Sequence, residues 1–147
     1  NVIPDQQAGK IVRDIGLATA DGRWAPVDPL NYGSTVTGDI HIIGDSQATG
    51  QPKSGHMANA QAKVCADAIL RAFAGAEPDP APMTNSACFS PLSLTAASWL
   101  TAVYRYDSNL GAMKLVPGSF GASEGPTLNN YKEMFTWAET LFGDTFG

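Results

Sequence analysis

The sequence predicts an α/β segment, residues 1–76, followed by a smaller α+β segment, residues 77–147. The first part of this prediction rests on an isoleucine-rich run at residues 40–43, which a long helical pattern follows after a loop. Residues 75–82 contain three prolines within five residues, which is typical of a linker, and the boundary is placed there. Beyond the linker the apolar residues recur with a period of two, which indicates strands.

The run at residues 40–43 is β-branched apart from His41, and it predicts a strand in which His41 is a histidine of the core. Gly44 and Asp45 end this strand. A glycine at that point lets a ligand approach the backbone closely. The Asp45 carboxylate is then expected at the strand's C-terminal edge, where open α/β sheets bind cofactors. Upstream, residues 8–15 predict a short helix that ends at a glycine cap.

The long helix is predicted over residues 56–73. Its N-terminus at Ser54, Gly55 and His56 directs free N–H groups and the positive end of the helix dipole toward the Asp45 edge. The face expected to pack against a sheet consists mostly of small residues, namely Ala58, Ala62, Cys65, Ile69 and Phe73. Cys65 is therefore interpreted as a core thiol.

The second segment is predicted to form a small three-stranded meander with a C-terminal helix. The three strands are expected at residues 87–94, 97–106 and 112–116. From residue 127 onward the apolar residues follow a helical stripe, and Trp137 lies at its edge. The apolar residues of this stripe are Leu128, Tyr131, Met134, Phe135, Ala138, Leu141 and Phe142.

The composition excludes several classes of function. The chain carries a net charge of −5 and has no basic cluster, which argues against a nucleic-acid partner. No run is long and apolar enough to predict a membrane span. The two histidines and two cysteines have no metal-ligand spacing, so no metal site is predicted.

The stretch from Thr35 to Asp45 resembles the second FAD-binding motif of the two-dinucleotide-fold flavoproteins, the glutathione-reductase-like group. The resemblance implies that Asp45 accepts a hydrogen bond from the ribityl chain of the flavin, and that Gly44 lets the cofactor come close. It also implies that Ser54, Gly55 and His56 face the flavin pyrimidine, which becomes negative on reduction. A helix N-terminus stabilises such a charge.

The glycine-rich motif that would cradle the pyrophosphate, Gly-x-Gly-x-x-Gly, does not follow a strand anywhere in the chain. The chain also begins at Asn1 without an initiator methionine or a signal peptide. We therefore expect the C-terminal part of a larger flavoprotein, with half of the FAD-binding domain and without the N-terminal part that completes it. By itself such a piece is expected to be inactive.

A more specific resemblance covers nearly the whole chain, including its last residues. The chain is similar to the flavoprotein subunit of flavocytochrome c sulfide dehydrogenase. The resemblance is carried by Asn1-Val-Ile-Pro4, Pro52-Lys53-Ser54-Gly55-His56, Asn85-Ser86-x-Cys88-x-Ser90 and Asp144-Thr-Phe-Gly147. It implies a periplasmic enzyme that oxidises sulfide through FAD and a redox-active cysteine pair, and that passes electrons to a separate c-type cytochrome subunit.

The resemblance also implies roles for single residues. Cys88 takes the family's redox position, with its partner cysteine in the missing N-terminal part, and Trp137 takes the place of a tryptophan beside the flavin. From the residues alone, Cys88 is equally well a buried structural thiol, and a Cys65–Cys88 disulfide stays open. Lys53 is either a solvated loop charge or, as the family pattern favours, a group that stabilises the reduced flavin.

Three classes of function remain after this reading. The first is the sulfide-oxidising flavoenzyme with a cytochrome acceptor. The second is a related sulfide:quinone or NAD(P)H-linked flavin oxidoreductase. A quinone enzyme should carry an amphipathic membrane-docking C-terminus, but the predicted last helix lacks the basic face that would favour it. The third is a non-catalytic dimerisation or docking module.

Overall fold

A computed structural model describes residues 3–147. Asn1 and Val2, which begin the first stretch that carries the resemblance, lie outside the described residues. The helices are α1 (Lys10–Asp14), α2 (Gly55–Phe73) and α3 (Leu128–Phe146), with a short 3-10 helix at Gly44–Ser46. The strands are β1 (Met83–Ser93), β2 (Ala96–Asp107), β3 (Ala112–Leu115) and β4 (Gly121–Ala122).

The second segment is a four-stranded antiparallel sheet beside a C-terminal helix, which makes it α+β. Strand β2 is central and pairs with β1, β3 and β4. Along the β1–β2 ladder Cys88 lies opposite Leu100, and the register shifts between Pro91 and Ser93. The three predicted strands are confirmed, and the two-residue β4 is an addition because so short a strand has no visible alternation.

The two long helices begin where capping chemistry predicts. The Ser54 hydroxyl accepts a hydrogen bond from the Met57 N–H at 3.2 Å, and the Thr127 hydroxyl accepts one from the Asn130 N–H at 3.0 Å. Within residues 3–147, neither these helices nor α1 is long and apolar enough to cross a membrane.

The predicted strand at residues 40–43 is wrong. Only His41 contributes a bridge, an isolated antiparallel pair with Gly33. Asp39 and Gly44 flank the run with positive φ angles of 63° and 71°, and such residues interrupt an extended chain on both sides. His41 is also exposed rather than part of the core, and its Nδ1 lies 2.9 Å from the Asn31 carbonyl oxygen. The first segment, as far as it is described, therefore has no strand and does not form the predicted α/β unit.

The first segment is held by a small apolar cluster instead. Leu17, Ala25 and Ile42 are buried together, with Val12 and Val27 packed against them. The predicted helix at residues 8–15 is shortened to α1, which buries no side chain. The core of this segment is thus made mainly by loop residues, which is why the sequence pattern did not predict it.

Both long helices bury the predicted face only in part. Cys65 of the α2 face is buried, but Phe73, expected on the same face, is 86% exposed. Phe142, expected on the packed stripe of α3, is 60% exposed, while the polar Asn130 is buried. The buried residues of α2 are Met57, Ala60, Gln61, Cys65 and Ala68. The polar residues Gln61 and Asn130 therefore lie inward, where they form hydrogen bonds.

Candidate functional site

The site is organised around the N-terminus of α2. The N–H groups of Gly55 and His56 precede the first bond of the helix, which runs from the Ala58 N–H to the Ser54 carbonyl at 2.9 Å. A β-carbon added at Gly55 would meet no atom within 4 Å, so there is open space beside this turn. The positive end of the 19-residue helix is therefore accessible to an anionic or electron-rich group.

Cys88 lies near this helix terminus. The Ser54 and Ser86 hydroxyl oxygens are 3.0 Å apart, and the Ser86 hydroxyl oxygen lies 3.8 Å from the Cys88 sulfur. Cys88 is half-buried and Cys65 is buried, and both are free thiols, so they do not form the disulfide that the sequence left open. Burial raises the pKa of the Cys65 thiol, as expected for a core cysteine.

His56 joins three elements through one ring nitrogen. Its Nδ1 accepts a hydrogen bond from the Ala87 N–H of β1 at 3.2 Å and another from the Trp137 indole N–H of α3 at 3.3 Å. Both neighbours are donors, so Nδ1 is the acceptor of both bonds. Nε2 lies 3.4 Å from the side-chain amide nitrogen of Asn85. The Trp137 indole also packs against Phe89, with ring centroids 5.4 Å apart.

Asp45 and Lys53 lie in the loop before α2. Asp45 is exposed in the 3-10 helix, not at a strand end as predicted, because the strand does not form. The Lys53 ammonium donates to the Asp45 and Gln47 carbonyls at 2.6 and 2.8 Å and lies 3.9 Å from the centroid of the Trp24 ring. Lys53 is thus an exposed loop residue whose ammonium is held by backbone carbonyls. Burial lowers the pKa of Lys53, and the nearby Asp45 charge acts against this shift.

A cavity of about 610 Å³ lies between α2, β1 and α3, with His56 and Trp137 in its wall. Its size is within the usual range of small-molecule pockets. At the rim Lys63 forms a salt bridge with Asp144 at 2.6 Å, which joins α2 to α3. Hydrogen bonding to Lys63 lowers the pKa of the Asp144 carboxyl.

A buried network of glutamine side chains, which the sequence analysis did not predict, joins the loop before α2 to α2 and to β1. The Gln51 side-chain oxygen accepts from the Tyr32 hydroxyl at 2.9 Å and from the Gln61 amide at 3.1 Å, and the Gln51 amide donates to Thr84. Gln61 in turn accepts from the Gly44 N–H at 2.7 Å, so that N–H is not available to a ligand. Burial raises the pKa of the Tyr32 phenol, which keeps its proton for Gln51. Only the clustering of Gln47, Gln51 and Gln61 in the sequence hinted at this network.

Comparison with protein families adds to this geometry. Residues 80–146 match the family described as flavocytochrome c sulphide dehydrogenase, flavin-binding. The matched range includes all four strands and α3. Both Cys88 and Trp137 lie inside the match, whereas Asp45, Lys53 and His56 precede it.

The family assignment fixes the general chemistry. A flavin-binding domain of flavocytochrome c sulphide dehydrogenase indicates a flavoprotein oxidoreductase, is consistent with FAD as cofactor, and implies by its name a cytochrome c partner. The described residues suit two parts of FAD, the flavin ring and the hydroxyl groups of its ribityl chain. The open turn at Gly55 presents free N–H groups suited to the electron-rich edge of a flavin ring, and the exposed Asp45 carboxylate is a free acceptor for hydroxyl groups.

Proposed function

We propose that this chain is part of a periplasmic flavoenzyme that oxidises sulfide and passes the electrons through FAD to a c-type cytochrome subunit. The observation that carries the proposal is the arrangement of Cys88 and Trp137. Both belong to the family-matched region, and both are connected to the N-terminal turn of α2, Cys88 through Ser86 and Trp137 through His56. A sulfur nucleophile, an aromatic side chain and a helix terminus thus meet at one place.

The proposed sulfur step is a thiol–disulfide exchange. Hydrosulfide attacks a disulfide between Cys88 and a second cysteine contributed from outside this chain. One new S–S bond forms to the substrate sulfur, the Cys88-containing S–S bond breaks, and one cysteine leaves as a thiolate. The helix terminus beside Ser54 favours that negative charge. Bound FAD would accept the two electrons of the sulfide sulfur, which would leave at the oxidation level of elemental sulfur as the disulfide re-forms, and the cytochrome would be the final acceptor.

The residues that would hold FAD lie mainly before the family match. The N–H groups of Gly55 and His56 suit the flavin pyrimidine, and Asp45 suits the ribityl hydroxyls. Gly44 acts indirectly, because its N–H holds Gln61 and a β-carbon there would lie 3.4 Å from Ala58. Lys53 fixes the loop that carries Asp45 rather than facing a ligand freely.

We also propose that residues 1–76 complete an FAD-binding domain contributed by further chain, and that residues 77–147 form the cofactor-covering domain. The start of the family match at residue 80 supports this division. Without that further chain the protein is proposed to be inactive, since the sequence contains no glycine-rich pyrophosphate cradle.

Anaerobic reduction by sulfide of the FAD-loaded protein, prepared with the further chain that completes its FAD-binding domain, tests this function. Sulfide is expected to bleach the oxidised flavin absorption, and added ferricytochrome c is then expected to restore it while becoming reduced. NADH and a soluble quinone serve as the matched alternative reductant and acceptor. If NADH reduces the flavin and sulfide does not, the chain belongs instead to the NAD(P)H-linked class of flavin oxidoreductases.

Replacement of Asp45 by alanine is expected to weaken FAD retention by ~1–3 kcal/mol, the cost of leaving hydroxyl partners unpaired. The fold should survive, because the carboxylate is exposed and the Lys53 ammonium binds the Asp45 backbone carbonyl, which the substitution keeps. FAD dissociation measured by flavin fluorescence checks this, with Glu77→Ala, another exposed loop carboxylate, as the control. Equal retention in the Asp45→Ala and wild-type proteins would show that Asp45 does not bind the cofactor.

A further inference from the structure

We infer that His56 is a positioning residue that fixes both Cys88 and Trp137 by accepting two hydrogen bonds at a single nitrogen. This inference rests on the proposed function for the roles of Cys88 and Trp137, but the contacts themselves are independent of it. The two donors come from elements far apart in the chain, the Ala87 N–H of β1 and the Trp137 indole N–H of α3. His56 is thereby the point where three elements of the site meet.

The hydrogen bond to Ala87 constrains the residue directly before Cys88. Three side-chain contacts from the first turn of α2 and its cap reach this part of β1, the Ser54–Ser86 hydroxyl pair at 3.0 Å, the His56–Ala87 bond at 3.2 Å and the His56–Asn85 contact at 3.4 Å. The β1 strand alternates its side chains between faces, so a fixed backbone at Ala87 also fixes the direction of the Cys88 side chain. Because β1 is an edge strand, loss of the His56 acceptor would leave it free to move away from α2.

The hydrogen bond to Trp137 fixes the rotation of the indole. The two rings lie with centroids 6.3 Å apart at an angle of 44°, so they do not stack and the directional N–H bond sets the geometry. Phe89 touches another part of the indole with a centroid distance of 5.4 Å. Phe89 can hold the indole in place by packing, but only the His56 nitrogen gives its N–H an acceptor.

The inference is specific to Nδ1, and this makes it testable with two variants of His56. In His56→Asn the side-chain oxygen can occupy about the position of Nδ1 and accept both bonds. In His56→Leu a side chain of similar size carries no acceptor. Two-dimensional ¹H–¹⁵N NMR of the 147-residue chain reports both donors, because the Ala87 amide and the three indole N–H groups give separate signals. The Trp137→Phe variant assigns the Trp137 indole signal.

In His56→Leu we expect the hydrogens of the Trp137 indole N–H and the Ala87 amide N–H to exchange with solvent faster, on the order of tenfold. In His56→Asn we expect both to exchange at close to the wild-type rate. Alkylation of Cys88 by iodoacetamide should be several-fold faster in His56→Leu and near wild type in His56→Asn, since the half-buried sulfur becomes more accessible.

Unchanged exchange of either donor in His56→Leu, or equal exchange in the leucine and asparagine variants, would overturn the inference. If the leucine variant does not fold, His56→Ala, which also carries no acceptor, is compared with His56→Asn by the same two measurements. None of these measurements needs flavin or sulfide. A failure of sulfide to reduce the FAD-loaded protein would therefore contradict the proposed function while these results still stand.

Discussion

Replacement of Cys88 by serine is expected to abolish sulfide-dependent flavin reduction, with a loss on the order of 10³-fold or more, in the FAD-loaded protein. A serine hydroxyl cannot form the disulfide that hydrosulfide attacks, so the sulfur step has no substrate bond to break. Bound FAD should remain, and dithionite should still reduce it. Stopped-flow absorbance at the flavin band measures the rate with sulfide and with dithionite in parallel.

Cys65→Ser is the matched control for this experiment. Cys65 is a buried thiol on α2, and its raised pKa makes it a poor nucleophile. The Cys65 variant should lose some stability but should keep most of its rate of reduction by sulfide. If sulfide reduces the flavin of the Cys88 variant at the wild-type rate, the sulfur chemistry takes place elsewhere and Cys88 is a structural thiol.

Replacement of Gln51 by leucine is expected to lower the free energy of unfolding by roughly 3 kcal/mol or more, the largest effect we expect on stability. The substitution keeps the volume but leaves the Tyr32 hydroxyl and the Gln61 amide without their acceptor. Both of those side chains are fully buried, at 0% exposure, so water cannot replace the lost partner. Urea unfolding followed by circular dichroism should show a lower midpoint with an unchanged slope.

Gln7→Leu is the matched control, because Gln7 is exposed in the N-terminal segment. Its effect should stay within about 0.5 kcal/mol. A loss below about 1 kcal/mol in Gln51→Leu would mean that the polar side chains around it find other partners. The Gln51 network would then not be what joins the loop segment to β1.

The elements of the second segment were predictable from sequence because their signals are local. Strand alternation predicts the meander and a helical stripe from residue 127 predicts α3, as a helical pattern after residue 54 predicts α2 in the first segment. The strand at residues 40–43 was mispredicted from the same kind of local signal. Its composition favours a strand, but the left-handed residues on either side and the lack of a neighbouring strand within residues 3–147 override that preference.

The site was predictable only in its separate parts. The sequence identifies Cys88, His56 and Trp137 one by one as candidate site residues, two of them through a family resemblance, but it does not predict their contacts. The bond between His56 and Trp137 spans 81 residues of sequence, and no spacing rule predicts such a pair. Gln51 was missed for a related reason. Glutamine is usually exposed, so its burial follows from long-range partners such as Thr84, which lies 33 residues away.

The hydrogen bond between His56 and Trp137 has a consequence for the order in which the molecule assembles. The β1–β2 hairpin joins residues no more than 22 positions apart, so its ladder can form early with little loss of chain entropy. The contact with Trp137 requires the last helix to return across 81 residues and can form only after the sheet exists. During synthesis on a ribosome α3 emerges after both strands of this hairpin. A nascent chain therefore carries its cysteine in place on a folded hairpin before the tryptophan arrives to complete the site.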